Sequence, residues 1–117
     1  RPEYDAAGMP FDPAPVCISR MEEGLRVMKG LWSDGEFSFV GDHYTITGLD
    51  GMPKPLQKPW PPLLIGGGGK RMLSIAAREA DIVGFNPQTR PDGTLDWTTT
   101  SIEAVSERVS WVREAAG

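Results

Sequence analysis

The stretch LLIGGGGKRMLSIAAREADIV, Leu63 to Val83, decides how the chain is read. Leu63-Leu64-Ile65 is a short continuous apolar run, the pattern of a strand buried on both faces. Gly66, Gly67, Gly68 and Gly69 follow, then a helical pattern from Lys70 to Ala80. Asp81 leads into a second strand-like run, Ile82-Val83-Gly84-Phe85. Strand, helix and strand in so few residues predict a βαβ unit over 63–85, with parallel strands and a right-handed crossover.

Glycine costs backbone entropy, so an unbroken run of it asks what comes too close for a side chain. A glycine-rich turn between the carboxyl end of a strand and the start of a helix gathers unpaired N–H groups. The helix dipole adds partial positive charge there, and the combination suits a phosphate or another anion. Lys70 and Arg71 open the helix as candidate charge-assisted donors, and Lys54 and Lys58 lie upstream. Two phosphate motifs do not match. Walker A requires Ser or Thr after its Lys, where Arg71 stands, and Gly five residues before it, where Ile65 stands. The dinucleotide fingerprint lacks its third glycine, because Arg71 or Met72 occupies that place. The competing reading is a tight strand-to-helix turn with no ligand.

Working outward, prolines at 2, 10, 13 and 15 make residues 1–18 read as irregular. Ser19 with Glu22 forms a capping box for a helix whose face is Met21, Leu25, Met28 and Trp32, stopped by Ser33-Asp34-Gly35. Phe37 and Phe39, then Tyr44 and Ile46, alternate with polar residues around Gly41-Asp42, a two-residue hairpin signal. A proline-rich extended segment runs to Pro62, so 36–62 reads as a hairpin plus a Pro-rich stretch. Downstream, Asn86 to Thr99 reads as a polar loop. Thr100 with Glu103 caps a last helix bearing the stripe Ile102, Val105, Val109 and Val112, and Gly117 stands at its C′ position. The chain shows no internal repeat. Two parallel strands make a poor sheet alone, so the expectation is a segment of a larger α/β protein.

With 117 residues the chain suits one small domain or part of one. The net charge of −4 and a pI near 4.9 argue against a nucleic-acid partner. No apolar run is long enough to span a membrane, and the lone Cys17 fits a reducing cytoplasm. The 14 Gly and 11 Pro make it loop-rich, but four Trp and regular apolar patterning argue for a folded chain.

The ordered set of motifs resembles the bacterial luciferase-like monooxygenase superfamily, and within it the deazaflavin (coenzyme F420)-dependent oxidoreductases. The residues that carry the likeness are Glu3 and Tyr4 with Gly8, Leu31-Trp32, Gly41 with Tyr44, and Pro61-Pro62. Gly66 to Gly69 and Ala76-Ala77-Arg78-Glu79-Ala80-Asp81 complete the set. Each piece is weak alone, and their order over nearly the whole chain is specific. The resemblance implies an α/β fold, a partial (β/α)8 TIM barrel segment containing one βαβ unit, an inserted β-hairpin and flanking helices. It implies that 1–117 belongs to a single barrel domain, middle to late in its order. It also implies hydride transfer between a reduced cofactor, F420 or alternatively FMN, and a small organic substrate. By the same carry-over, the backbone of Gly66, Gly67, Gly68 and Gly69 binds the cofactor phosphate with help from Lys70 and Arg71. Phe85 and Asn86 face the same mouth. The segment alone is expected to be inactive and to self-associate as a homo-oligomer. A non-catalytic association module is the rival reading.

Other candidates have plainer readings. His43, the only histidine, reads as a turn-flanking residue, and Cys17 as an inert packed thiol. Tyr4 reads as packing, Asp81 as a cap or a partner of Arg78, and Glu22-Glu23 as helix-start acids. No metal-ligand spacing is present, and the catalytic residues are not assigned.

Overall fold

The structure, a computed structural model, describes residues 2–117. The chain divides into two compact units, one ending at Trp60 and the other comprising Pro61–Gly117.

The first unit is a helix with a hairpin laid on it. A short helix α1, Pro2–Ala6, precedes the long α2, Ala14–Trp32. The first is unexpected and the second begins earlier than expected, for one reason. Proline breaks a helix interior, but in the first turn its missing N–H has no partner to lose. Pro2 opens α1, and Pro15 stands in the first turn of α2, so Ser19 and Glu22 lie inside the helix and form no cap. Leu25 and Val27 are the buried residues of α2, whereas Met28, expected on the core face, is 41% exposed. The strands β1, Phe37–Val40, and β2, Thr45–Leu49, pair antiparallel, with an irregularity between Phe37 and Phe39. The Gly41 N–H donates to the Tyr44 carbonyl at 2.9 Å, so the chain reverses at Asp42-His43, one residue later than expected. The Tyr4 and Phe11 rings meet edge to face at 5.2 Å, the packing role expected of Tyr4.

Glycines let the hairpin dock. A Cβ on Gly30 would fall 2.1 Å from the Phe37 ring, and one on Gly24 would touch Tyr44 at 3.7 Å. Two glycines inside a helix cost roughly 1 kcal/mol each against alanine. At Gly30 the missing side chain gives the Phe37 ring its seat, whereas at Gly24 a Cβ would only touch Tyr44. Lys54 completes the unit: its ammonium donates to the carbonyl of Leu31 (3.0 Å) at the end of α2 and pairs with Asp50 at 2.8 Å.

The second unit contains the expected βαβ unit. Strand β3, Leu64–Gly67, pairs in parallel with β4, Ile82–Phe85, and α3, Lys70–Glu79, connects them. Gly66 and Gly67 are therefore strand residues opposite Gly84 and Phe85, and only Gly68 and Gly69 form the turn. The apolar run is covered on one face only: Ile65 is buried, and Leu64 is 66% exposed. Leu73, Ile75 and Ala76 of α3 form the core, since that helix packs against both β3 and the last helix α4, Ile102–Ala116.

The expected loop after β4 has structure of its own. Gln88–Thr89 (β5) and Leu95–Asp96 (β6) pair antiparallel, and a 3-10 turn spans Trp97–Thr100. Ser101, not Thr100, caps α4, accepting the Ala104 N–H at 3.2 Å. Four consecutive hydroxyl residues precede the helix, and backbone geometry alone chooses among them. Ile102, expected in the core stripe, is 82% exposed because it starts the helix on its outer side. Gly117 closes α4 with φ +89°, the left-handed cap expected of it.

Candidate functional site

The glycine run holds two kinds of glycine. A Cβ on Gly67 would lie 2.5 Å from Met72 Cγ, and one on Gly68 would lie 2.8 Å from the Asn86 carbonyl oxygen and 3.0 Å from that of Pro87. A Cβ on Gly66 would meet the Asn86 side-chain nitrogen at 3.0 Å. These three residues lack side chains because the protein itself fills the space. At Gly69 a Cβ would meet nothing within 4 Å, and the backbone there, φ −97° and ψ 155°, is open to any residue. Gly69 is the N-cap of α3 and contributes no side-chain hydrogen bond to it. The first-turn N–H groups of a helix have no intrahelical partners and carry partial positive charge. The start of α3 thus combines open space, unshielded donors and positive potential, which fits an anionic phosphate group.

The other sequence-derived candidates are placed unevenly. Asn86 joins the glycines: its N–H donates to the Gly67 carbonyl at 2.9 Å, and its side chain lies over Gly66. Lys70 turns toward α4, with its ammonium 3.7 Å from Glu114 and 6.0 Å from the centre of the Trp111 ring. Arg71 is exposed on the first turn of α3. Lys54 and Lys58 are spent within the first unit, Lys58 on Asp34 at 3.3 Å. Asp81 accepts the Leu63 N–H at 2.8 Å and so ties the entrances of β3 and β4 together.

Sequence reading missed three groups. Gln88 donates its side-chain amide to the Gly68 carbonyl at 3.2 Å. Arg108, 3% exposed, donates to the Thr99 carbonyl from within α4. Glu23 accepts the N–H groups of Asp42 (2.8 Å), His43 (2.9 Å) and Tyr44 (3.2 Å), seating the hairpin turn on α2. Partial burial works against the Glu23 charge, and the three donors outweigh it, holding its pKa below the ordinary glutamate range. A Cβ on Gly41 would lie 2.4 Å from Glu23 Oε2, so this approach also needs a glycine. Among the described residues no group of His, Cys, Asp and Glu could hold a metal ion, and no helix is long and apolar enough to cross a membrane.

The family model described as luciferase-like monooxygenase matches residues 1–112. The chain belongs to that family. The luciferase-like relatives include the FMNH(2)-dependent dimethylsulfone monooxygenase of Pseudomonas putida, 37% identical over 79 residues. That match takes in 68% of this chain and 22% of the relative. The enzyme of the same name from Pseudomonas fluorescens (strain Pf0-1) is 33% identical over 81 residues, 69% of this chain and 22% of the relative. The chain therefore spans about a fifth of the length of the curated relatives it matches. A solved structure, an F420-dependent secondary alcohol dehydrogenase in complex with an F420-acetone adduct, superimposes with a TM-score of 0.66 at 23% identity. It covers 91% of this chain, which in turn covers 30% of that structure. At that identity the likeness shows the fold, a segment of an α/β barrel of the luciferase-like type. In such barrels ligand loops sit at the carboxyl ends of the strands, where the turn after β3 lies.

Proposed function

We propose that this chain supplies the phosphate-binding corner of a cofactor site in a luciferase-like oxidoreductase. The observation that carries the reading is Gly69: an uncapped helix start facing open space after a barrel strand. Bound there, the cofactor supplies hydride chemistry toward a small organic substrate. The chain's part is to hold the phosphate end through the N–H groups at the start of α3, with Arg71 on that same turn and Asn86 bracing the glycines. The position of Lys70 against Glu114 and Trp111 makes its contribution one of field rather than direct contact. Catalytic groups lie outside this corner, so residues 2–117 alone are expected to bind without turning over.

F420 and FMN both carry a phosphate on the chain that leaves the ring system, so either suits an anion corner. The named FMNH(2)-dependent relatives favour FMN by sequence identity, and the F420-dependent neighbour favours F420 by fold. The cytoplasm is the proposed compartment, with Cys17 a free thiol. Self-association is proposed as well, because β3 pairs with β4 alone among the described residues and leaves Leu64 and Ile82 exposed.

The test is a fluorescence titration of the full-length protein with F420 and with FMN, for wild type and Gly69→Asp. Aspartate at an N-cap satisfies the helix donors itself and stabilises the helix by a few tenths of a kcal/mol over glycine. The carboxylate would then stand where the phosphate belongs. Saturable binding of one cofactor, lost in the variant while its melting temperature holds or rises, supports the assignment and names the cofactor. Unchanged affinity in Gly69→Asp would sink it. A wild type that binds neither cofactor favours the association module instead.

A further inference from the structure

Resting on the phosphate-corner reading, we propose that Gln88 is the positioning residue of that corner: it sets which way the Gly68–Gly69 peptide points. A trans peptide directs its C=O and N–H to opposite sides. The Gly68 carbonyl is held on one side by the Gln88 amide at 3.2 Å. The N–H of Gly69, in the same peptide plane, is thereby turned to the other side. It has no hydrogen-bond partner among the described residues. Two further contacts hold the backbone just before it. The space beside Gly68 Cα is closed by the Asn86 and Pro87 carbonyl oxygens, and the Gly67 carbonyl is tied to the Asn86 N–H at 2.9 Å.

Gln88 is itself anchored. Its N–H donates to Thr99 Oγ1 at 3.0 Å, the Thr99 hydroxyl donates to the Asp96 carbonyl at 2.5 Å, and buried Arg108 donates to the Thr99 carbonyl. Asp96 in turn accepts the Thr98 N–H at 3.1 Å and pairs with Arg90 at 3.0 Å. A chain of hydrogen bonds thus runs from α4 through the 3-10 turn to the glycines. The small β5–β6 hairpin and the buried arginine gain a purpose from it: they brace an orienting amide. Preorganised N–H donors bind an anion without first reorganising, which is where affinity is gained.

The experiment uses the full-length protein, 15N-labelled at glycine, with inorganic phosphate as the probe. Wild type, Gln88→Met and the near-isosteric Gln88→Glu are compared, and thermal unfolding is recorded for each. Neither variant offers the donor to Gly68, so phosphate affinity is expected to fall about three- to tenfold, the worth of one net hydrogen bond. The phosphate-induced shift of the Gly69 amide should shrink with it, and the melting temperature should move little. Wild-type affinity in both variants, with the Gly69 shift intact, overturns this inference and leaves the phosphate corner standing. A lowered melting temperature with an intact Gly69 shift also overturns it, since Gln88 would then serve stability alone. Absence of any phosphate response in the wild type overturns both readings together.

Discussion

The two units share one use of glycine, and the second adds another at a single residue. In the first, Gly30 and Gly41 make room for side chains of the same unit: Phe37 and Glu23. In the second, Gly66 to Gly68 make room for the turn after β4 and for Met72, and Gly69 makes room for nothing in the protein. A missing side chain therefore marks a ligand only after the protein's own atoms have been subtracted. By that test the run of four contains one residue that looks outward; in the first unit the open glycines, Gly8 and Gly35, are explained by their positive φ.

That contrast can be broken at several points. The largest effect is expected at Gly69. Gly69→Asp should weaken cofactor or phosphate binding by about a hundredfold, some 2.7 kcal/mol, while the fold keeps or gains stability. Titration beside a melting curve separates the two quantities. Next comes Gly30→Ala, which drives a methyl group into the Phe37 ring. Overpacking of this kind costs roughly 1–3 kcal/mol, readable by denaturant unfolding, and binding should survive in the folded fraction. Wild-type stability in Gly30→Ala would mean that the hairpin does not seat on α2 through that glycine.

A smaller effect concerns pH. The Glu23 carboxylate has a lowered pKa in the folded chain because three N–H donors outweigh its desolvation. Such a group stabilises the fold above its unfolded pKa, and the contribution is lost as pH falls through the folded value. Hydrogen exchange at the Asp42, His43 and Tyr44 amides should therefore quicken, after correction for intrinsic rates, as the carboxylate protonates. Glu23→Gln should remove that pH dependence, and a dependence retained in the variant would exclude Glu23 as its source. Smallest of all is Ile102→Ser. The side chain is 82% exposed, so stability should change by less than about 0.5 kcal/mol, whereas an equivalent change at the buried Leu73 should be severe.

The legible parts of this molecule are those whose signal is local. The βαβ unit announced itself through two apolar runs around a helical period, and Gly117 through its place after the last apolar turn. The hairpin is legible as a hairpin, but its turn lies one residue later than the Gly41-Asp42 signal predicts. A glycine beside an aspartate looks like the reversal itself, and here Gly41 serves the approach of Glu23 from another element. All of α1 and the start of α2 are hidden by prolines, which read as breakers until their position in the first turn is known. In the candidate site, Asn86, which only the family resemblance implied, lies beside Gly66 and Gly67. Lys70, Lys54 and Lys58 found partners that no linear pattern specifies. Gln88 and Arg108 carried no sequence signal, since a polar residue in a polar loop and an arginine in an amphipathic helix are both ordinary.

By itself the sequence determined the hairpin, the parallel pair with its connecting helix, the last helix, and a glycine turn at a strand's carboxyl end. Periodicity and glycine placement are properties of neighbours in the chain, and they act before any long-range contact forms. Only the tertiary structure decided which glycine is open, which amide holds the turn, and which charges are already taken. Those are questions of distance between residues far apart in sequence, such as Gln88 and Gly68 or Glu23 and Tyr44. Packing settles them, because a hydrogen bond or a clash depends on a few tenths of an ångström that no residue type encodes.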